Sequence, residues 1–416
     1  KFSSEKKGKG KYLISRPIYD RIDKIGAAMS FDQIRDADKK YIAGTYNRFQ
    51  ADIARGEGAT LYSEDGKKYV DFGSGIAVNG FGVNDGEWKE AVIAQLNKLQ
   101  HASNNYYTRP QTELAQMLCE KTGAKKVFFS NSGAEANECA IKAARKYSFD
   151  KYGEGRFRIV TLKNSFHGRT IATLSATGQD AMHRYFMPFL EGFSYADPTY
   201  EGVRRLCSHE TCAVMLELIQ GEGGVRPLDA EQVKEIEVFC KKNDILLIID
   251  EVQTGNGRTG RLYAYEHYGI TPDIVTTAKG LAGGLPLGAT MFFGKCENVF
   301  GAGDHGSTFG GNPIACAGAC SILRRIDKDL LLEVQGKSAY LFTHLGRIRN
   351  VRSVTGMGLM IGLDTTKNAR EVAEKCLERG LIVLTAKDKV RLLPPLTIKK
   401  DEIDFGLKIL NEVISE

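Results

Sequence analysis

The chain has 416 residues, 42% apolar and 26% charged, which excludes a wholly disordered or fibrous protein and is enough chain to bury a large core. Its net charge is +6, but residues 1–24 hold eight Lys/Arg against three acids and carry +5 of it, so the remainder offers no basic surface for nucleic acid. The longest aliphatic run, Ile245–Ile249, is far too short to span a bilayer, and no membrane contact is expected.

Residues 1–28 are basic and, over the first dozen, rich in Lys, Gly and Ser, and they read as a flexible solvated tail. They lack the apolar segment of a signal peptide. "TLYSEDGKKYVDF" (60–72) reads as a β-hairpin turned at Asp65-Gly66, with alternating apolar residues on either side. From about residue 110, helices alternate with short apolar strands. "VFF" (127–129) precedes the helical "AEANECAIKAARKY", and "RIVTL" (158–162) and "AVMLEL" (213–218) follow. "EQVKEIEVFCKKN" (231–243) is helical, and "ILLIID" (245–250) and "DIVTTA" (273–278) are strands. Strands that are apolar throughout, with helices between them, predict a mostly parallel sheet covered on both faces, the α/β class. Beyond about 330, "VRSVTGMGLMIGLD", a helix and "LIVLTAKDKVRLLPPL" read as a small α+β unit of antiparallel strands. The nine cysteines include no C-x-x-C pair, and Cys316 and Cys320 lie one helical turn apart, as core residues do. Free thiols, a cytoplasmic setting and no metal site are expected.

In open α/β sheets, ligands sit at the carboxyl ends of the strands, so the residues after each strand carry the functional signal. After "VFFS", Ser132, Gly133 and Ala134 open a helix, whose free N–H groups and dipole suit a phosphate; a plain strand-to-helix turn has the same pattern. After "ILLII" comes Asp250, a carboxylate that is costly at an apolar strand end unless it meets a partner; a helix cap or a structural ion pair would also account for it. After "DIVTT" comes Lys279, 29 residues beyond Asp250, a spacing that allows a crossover back to the same sheet. A lysine there can lose its proton and attack a carbonyl, although most lysines only snorkel to solvent. Together the three make a phosphate cradle, an acid for a protonated ring nitrogen and an amine for an aldehyde. Pyridoxal 5'-phosphate needs all three. A competing motif, "GNGRTG" (255–260), fits the G-x-G-x-x-G dinucleotide fingerprint and would suit a nicotinamide oxidoreductase. Four residues separate its glycines from the strand-end Asp250, and the Asp250–Glu251 carboxylates would repel a pyrophosphate.

From about residue 42 to its end the chain resembles the class III, pyridoxal-phosphate-dependent aminotransferases of fold type I. The resemblance rests on "TYNRF" (45–49), "SNSGAEANE", "NSFHGRT", "IQGEGGVRP", "DEVQTGNGRTG", "YGITPDIVTTAKG", "GSTFGGNP" and "VRLLPPL". It implies a large, mostly parallel-sheet domain over residues 76–310 and a smaller α+β domain built from both termini, residues 29–75 and 311–416. It implies that Lys279 condenses with the cofactor aldehyde and then moves a proton, and that Asp250 pairs with the ring nitrogen. Gln253 would bond the ring hydroxyl, Phe166 would stack on the ring, and Ser132, Gly133 and Ala134 would hold the phosphate. Glu251 and Val252 fall in the same cofactor block. Thr308 would reach the phosphate of a neighbouring subunit, which implies a homodimer with shared sites. Arg169 would bind the carboxylate distant from the reacting amine, Ser307 would meet the substrate, and Tyr46 would line the entrance. Arg391 would bind the α-carboxylate of glutamate, with Glu222 pairing to it when no carboxylate is present.

Within the class, "TYNRF", "HASNNYYT" and "SFHGRTIATLSATGQ" are most similar to members acting on N-acetylornithine with 2-oxoglutarate, in arginine biosynthesis. Ornithine, succinylornithine and 4-aminobutyrate remain alternative donors. A catalytically inactive relative would lack Lys279 or Asp250, and both are present. Three features depart from the usual pattern: Leu218 in place of Pro, the "GVNDGEW" segment (82–88), and Asn256 in place of an apolar residue. The last two bear on substrate identity.

Overall fold

A computed structural model describes residues 29–416; the tail expected over residues 1–28 lies outside the described residues. The described chain forms two compact units, residues 29–55 with 62–67, and residues 56–61 with 68–416.

In the smaller unit, helix Phe31–Tyr41 is started by a capping box in which Ser30 and Gln33 exchange side-chain and backbone hydrogen bonds. The Asp65-Gly66 turn is present, with Gly66 at φ 86° and its N–H on the Ser63 carbonyl at 3.0 Å.

The larger unit is organised by a seven-stranded sheet. Its strands in chain order are β1 (Lys126–Ser130), β2 (Arg158–Leu162), β3 (Phe193–Ala196), β4 (Thr211–Leu216), β5 (Leu246–Asp250), β6 (Ile274–Thr277) and β7 (Gly288–Phe292). Their spatial order is β1-β7-β6-β5-β4-β2-β3. Strands β2 to β6 pair in parallel, while β7 runs antiparallel to both β6 and β1. The expected parallel character therefore holds. Two strands, β3 and β7, have no aliphatic run to announce them, and "FSYA" and "GATMF" mix small and polar residues.

Both faces of the sheet are dry, for the reason the aliphatic strands suggested. Side chains alternate across a strand, so Leu247 and Ile249 join one apolar cluster while Leu246 and Ile248 join the other. The second cluster is roofed by helix α1 (Gly133–Tyr152), whose Ala136, Ala140, Ala143 and Ala144 are buried. Small side chains on that face let the helix lie close to the strands. The β5–β6 register places Asp250 opposite Thr276. The two strand ends are thus side by side, and Lys279 follows three residues after Thr276.

The C-terminal segment forms a four-stranded antiparallel sheet in the order Val351–Met357, Met360–Thr365, Lys389–Leu392, Leu384–Ala386. Strand Leu381–Ile382 pairs in parallel with Lys68–Asp71, so chain from before the large sheet is joined to chain after it. Arg391 lies within the antiparallel sheet, opposite Gly362 on one side and Leu384 on the other.

Candidate active site

The carboxyl ends of β1, β2, β4, β5 and β6 deliver their following residues to one cavity of 430 Å³, within the size range of small-cofactor sites. Ser132, Gly133, Ala134, Phe166, Arg169, Asp250, Val252, Gln253 and Lys279 all line it.

At the β1 end, Ser132 caps α1, its Oγ accepting the Glu135 N–H at 3.2 Å. The first-turn N–H groups of this helix have no intrahelical acceptors, and the dipole adds positive potential there. A Cβ on Gly133 would stand 2.6 Å from Val252 Cγ1, so the helix start rests against Val252 only because residue 133 is glycine. This is a cradle for an anion with phosphate chemistry.

Asp250 ends β5 almost fully buried. Its Oδ2 accepts from Asn137 Nδ2 and faces His167 Nδ1, each at 2.8 Å, and its Oδ1 accepts the Val252 N–H at 3.0 Å. Asn137 is itself held by Thr276 Oγ1 at 2.7 Å and by the His167 carbonyl at 2.8 Å. Each hydrogen bond to a charged group contributes about 1.5–3 kcal/mol, which offsets the cost of burying the carboxylate. The network also fixes the carboxylate orientation against the cavity.

Lys279 follows β6 at the start of a 3₁₀ turn, Lys279–Ala282, with φ 42°. A positive φ costs a lysine about 1–3 kcal/mol and persists only where the surroundings hold it. Burial lowers the pKa of its amine; Glu222 opposes that shift, Arg391 adds to it, and Asp250 and Glu217 oppose it. A larger fraction of neutral amine is what nucleophilic attack on a carbonyl requires.

Phe166 offers its ring to the cavity with the Arg169 guanidinium 5.5 Å from the ring centroid. Arg169 is otherwise exposed at the cavity edge. On the far side, Arg391 is buried and its Nη1 donates to Glu222 Oε1 at 2.5 Å and to Gln253 Oε1 at 3.4 Å. The ion pair is therefore connected to the cavity wall through Gln253.

Some residues marked from sequence stand elsewhere. The Glu251 carboxylate does not face the cavity. It accepts the Tyr265 N–H at 2.8 Å and the Thr254 hydroxyl, and burial pushes its pKa up to about 7. The Glu251 N–H still bonds the Thr276 carbonyl at 2.9 Å, so strand alternation points its side chain away from the face that carries the Asp250 carboxylate. Ser307 is one contact removed, its Oγ accepting from cavity-lining Asn131 Nδ2 at 3.2 Å. Thr308 is exposed. Tyr46 belongs to the smaller unit, where it is exposed with the Arg48 guanidinium 5.2 Å from its ring centroid. "GNGRTG" lies in a run of turns with no long helix after it. Its Arg258 is buried and donates to the carbonyls of Leu359 (3.2 Å) and Pro394. The run is a brace onto the C-terminal sheet, without the helix N-terminus a dinucleotide needs.

Wall residues with polar side chains that the sequence reading does not name include Asn131, Asn137, His167 and Glu217. Glu217 is buried, accepts the N–H groups of Phe166 (2.7 Å) and Gly221 (3.3 Å), and has its pKa raised by burial. It follows an apolar strand as Asp250 does, so the signal that found Asp250 points to it equally. Asn137 lies one helical turn beyond Gly133 and therefore on the same face.

The residues present fit pyridoxal phosphate: a glycine-dependent cradle at a helix start for the phosphate, a buried and oriented carboxylate for the ring nitrogen, and a lysine whose charge is disfavoured for the aldehyde. The comparisons with known proteins agree. The family model for aminotransferase class-III matches residues 41–414. The acetylornithine aminotransferase of Haemophilus ducreyi is 49% identical, over 93% of this chain and 100% of that one. An ornithine aminotransferase from Toxoplasma gondii, solved with partial occupancy of PLP at its active site, superposes with TM-score 0.89 at 28% identity, covering 96% of this chain and 98% of that one. The N-acetylornithine aminotransferase of Stenotrophomonas maltophilia gives TM-score 0.79 at 33% identity, covering 91% and 98%.

Proposed function

The chain belongs to the class-III aminotransferases, and from that premise we propose that it moves the terminal amino group of N2-acetyl-L-ornithine to 2-oxoglutarate. The products are N-acetyl-L-glutamate 5-semialdehyde and glutamate, a step of arginine biosynthesis. The observation that carries this reading is the convergence of the Lys279 amine and the Asp250 carboxylate on one cavity whose wall begins a helix. Identity of 49% to an acetylornithine aminotransferase over nearly the whole chain supports the substrate.

Pyridoxal 5'-phosphate, when bound, supplies an electron-withdrawing ring that stabilises negative charge on the substrate carbon. The protein does the rest. The start of α1, with Ser132, Gly133 and Ala134, binds the phosphate, and Phe166 covers a ring face. Asp250, held by Asn137 and His167, keeps a proton on the ring nitrogen. Gln253 bonds the ring hydroxyl. Lys279 would take the proton from the substrate carbon bearing the amine and deliver it across the nitrogen to the cofactor's aldehyde carbon. Arg169 binds the carboxylate distant from the reacting amine. Arg391 binds the α-carboxylate of glutamate, and Glu222 neutralises it while acetylornithine, which has no carboxylate beside its reacting amine, occupies the site. Ser307 contacts substrate through the Asn131 side of the wall, and Tyr46 lines the entrance. Glu251 is better read as a support for the Asp250 turn than as a ligand of the cofactor.

The working form is a homodimer, with Thr308 reaching the phosphate of the neighbouring subunit. Exposed Phe309, Tyr106 and Tyr107 support this, because Asn104 bonds the carbonyls of Ser307 and Gly310 and brings the two segments together. Light scattering on the eluting protein tests it. Residues 29–75 and 311–416 are read as the smaller domain and 76–310 as the larger. No described helix is long and apolar enough to cross a membrane. All nine cysteines are free, which supports the reading of a cytoplasmic enzyme.

The test of function is a substrate panel. Purified protein with pyridoxal phosphate and 2-oxoglutarate should turn over acetylornithine faster than ornithine, succinylornithine or 4-aminobutyrate; a clear preference for one of the others replaces the substrate assignment. Lys279→Ala should abolish turnover together with the borohydride-trapped adduct.

A further inference from the structure

Lys279 holds a backbone conformation that a lysine does not adopt by itself, and two side chains bracket the turn it starts. Ahead of it, Asn256 Nδ2 donates to Thr277 Oγ1 at 3.0 Å and to the Ala278 carbonyl at 3.2 Å. Beyond it, Trp88 Nε1 donates to the Ala282 carbonyl at 2.9 Å. Neither residue lines the cavity.

Asn256 is buried, and its Oδ1 has no hydrogen-bond partner among the described residues. An orphaned buried acceptor is destabilising, so the donor end of this amide is what the local structure uses. Asn256 has φ 59°, a conformation that asparagine tolerates better than most side chains. Its Cβ also faces Gly280, where an added Cβ would sit 3.4 Å away. Trp88 is confined in turn, because a Cβ on Gly283 or Gly318 would come within 3.0 or 2.8 Å of its Nε1. The two donors thus grip the carbonyl just before Lys279 and the one that closes its 3₁₀ turn.

We infer that Asn256 and Trp88 are positioning residues that set where the Lys279 amine stands in the cavity, acting through the backbone of the Lys279–Ala282 turn. The inference rests on Lys279 being the reacting amine. It gives a role to two features of the sequence, Asn256 and the segment holding Trp88, that the cofactor contacts leave unused.

The test uses the full-length protein, freed of cofactor, as the parent and as three variants. Asn256→Asp keeps the shape but places a carboxylate against the Ala278 carbonyl. Asn256→Gly keeps the positive φ and removes the amide, and Trp88→Phe keeps a ring and removes the N–H. Added pyridoxal phosphate is trapped with borohydride at timed intervals across a pH series, and the modified residue is identified by mass spectrometry. Melting temperatures are recorded alongside. A misplaced reacting group costs on the order of 10- to 100-fold in rate. The expected result is a loss of that order in trapping at Lys279 for Asn256→Asp and Asn256→Gly, a smaller loss for Trp88→Phe, and a midpoint of the rate–pH curve moved to higher pH, in chains that still melt cooperatively. Parent-like rates and pH midpoints in all three variants overturn the inference. So does loss of folding in all three, which would make the residues structural supports only. If the parent itself is trapped at a residue other than Lys279, the functional reading fails at its root, a result distinct from either.

Discussion

The guanidinium of Arg391 and the carboxylate of Glu222 meet at 2.5 Å, Nη1 to Oε1, and the same Nη1 reaches Gln253 Oε1 at 3.4 Å. Arg391 is contributed by the C-terminal antiparallel sheet and Gln253 by the turn after β5. The pair is therefore where a second structural element gains a say in what the cavity accepts.

If Glu222 neutralises Arg391 during the acetylornithine half-reaction, Glu222→Ala should harm only that half. Stranding one member of a buried pair is strongly unfavourable, so kcat/KM for acetylornithine should fall about 10- to 100-fold while that for glutamate holds or improves. Single-turnover measurements of each half-reaction check this; equal losses in both would refute the gate.

Arg169 sits at the cavity edge above Phe166. Arg169→Lys keeps the charge but loses the two-pronged geometry that suits a carboxylate. KM for acetylornithine should rise about 10-fold with kcat nearly unchanged, the mark of lost ground-state binding. An unchanged KM would place the distant carboxylate elsewhere.

Gly133 leaves no room for a Cβ, which would meet Val252 Cγ1 at 2.6 Å and Cγ2 at 2.9 Å. Gly133→Ala should cost about 1–3 kcal/mol through overpacking and should weaken pyridoxal phosphate binding by displacing the helix start. Fluorescence titration with the cofactor measures the second effect. Binding of unaltered strength would remove this helix start from the phosphate site.

Glu251 is buried, with a pKa raised from 4.5 to about 7. A group whose folded pKa exceeds its unfolded one adds stability that is complete below about 4.5 and is lost as pH rises through about 7. The full span is at most about 3 kcal/mol. Glu251→Gln should flatten the fall of Tm across that window relative to the parent. Parallel Tm profiles for the two proteins would show that another group sets the slope.

The main sheet is legible in the sequence because its inner strands are built on aliphatic runs, with their polar residues at or near the strand ends. Thr211–Leu216, Leu246–Asp250 and Ile274–Thr277 are buried throughout, and burial on both faces is what a continuous aliphatic run records. Strand Gly288–Phe292 is equally buried, yet it lacks an aliphatic run, because it opens with Gly, Ala and Thr and closes with Met291 and Phe292. Its antiparallel direction depends on the route of the chain between strands, on which composition is silent. Asp250 and Lys279 stood out as charges closing apolar strands. Glu217 carried the same mark and was passed over, since it lay inside a segment read as strand.

What the sequence alone determined was the order of the aliphatic strands along the chain, their dry interior and the charged residues that close two of them, because alternation and burial are local properties of a few successive side chains. The tertiary structure alone decided which of those ends are neighbours. Asp250 and Lys279 share a cavity because β5 and β6 pair in register, and Glu251 is held away from it by the Tyr265 N–H, while Gln253 lines it. Arg391, 169 positions from Glu222, reaches it only when a separate sheet docks. Such proximities are set by the packing of surfaces distant in sequence, and no window of residues encodes them.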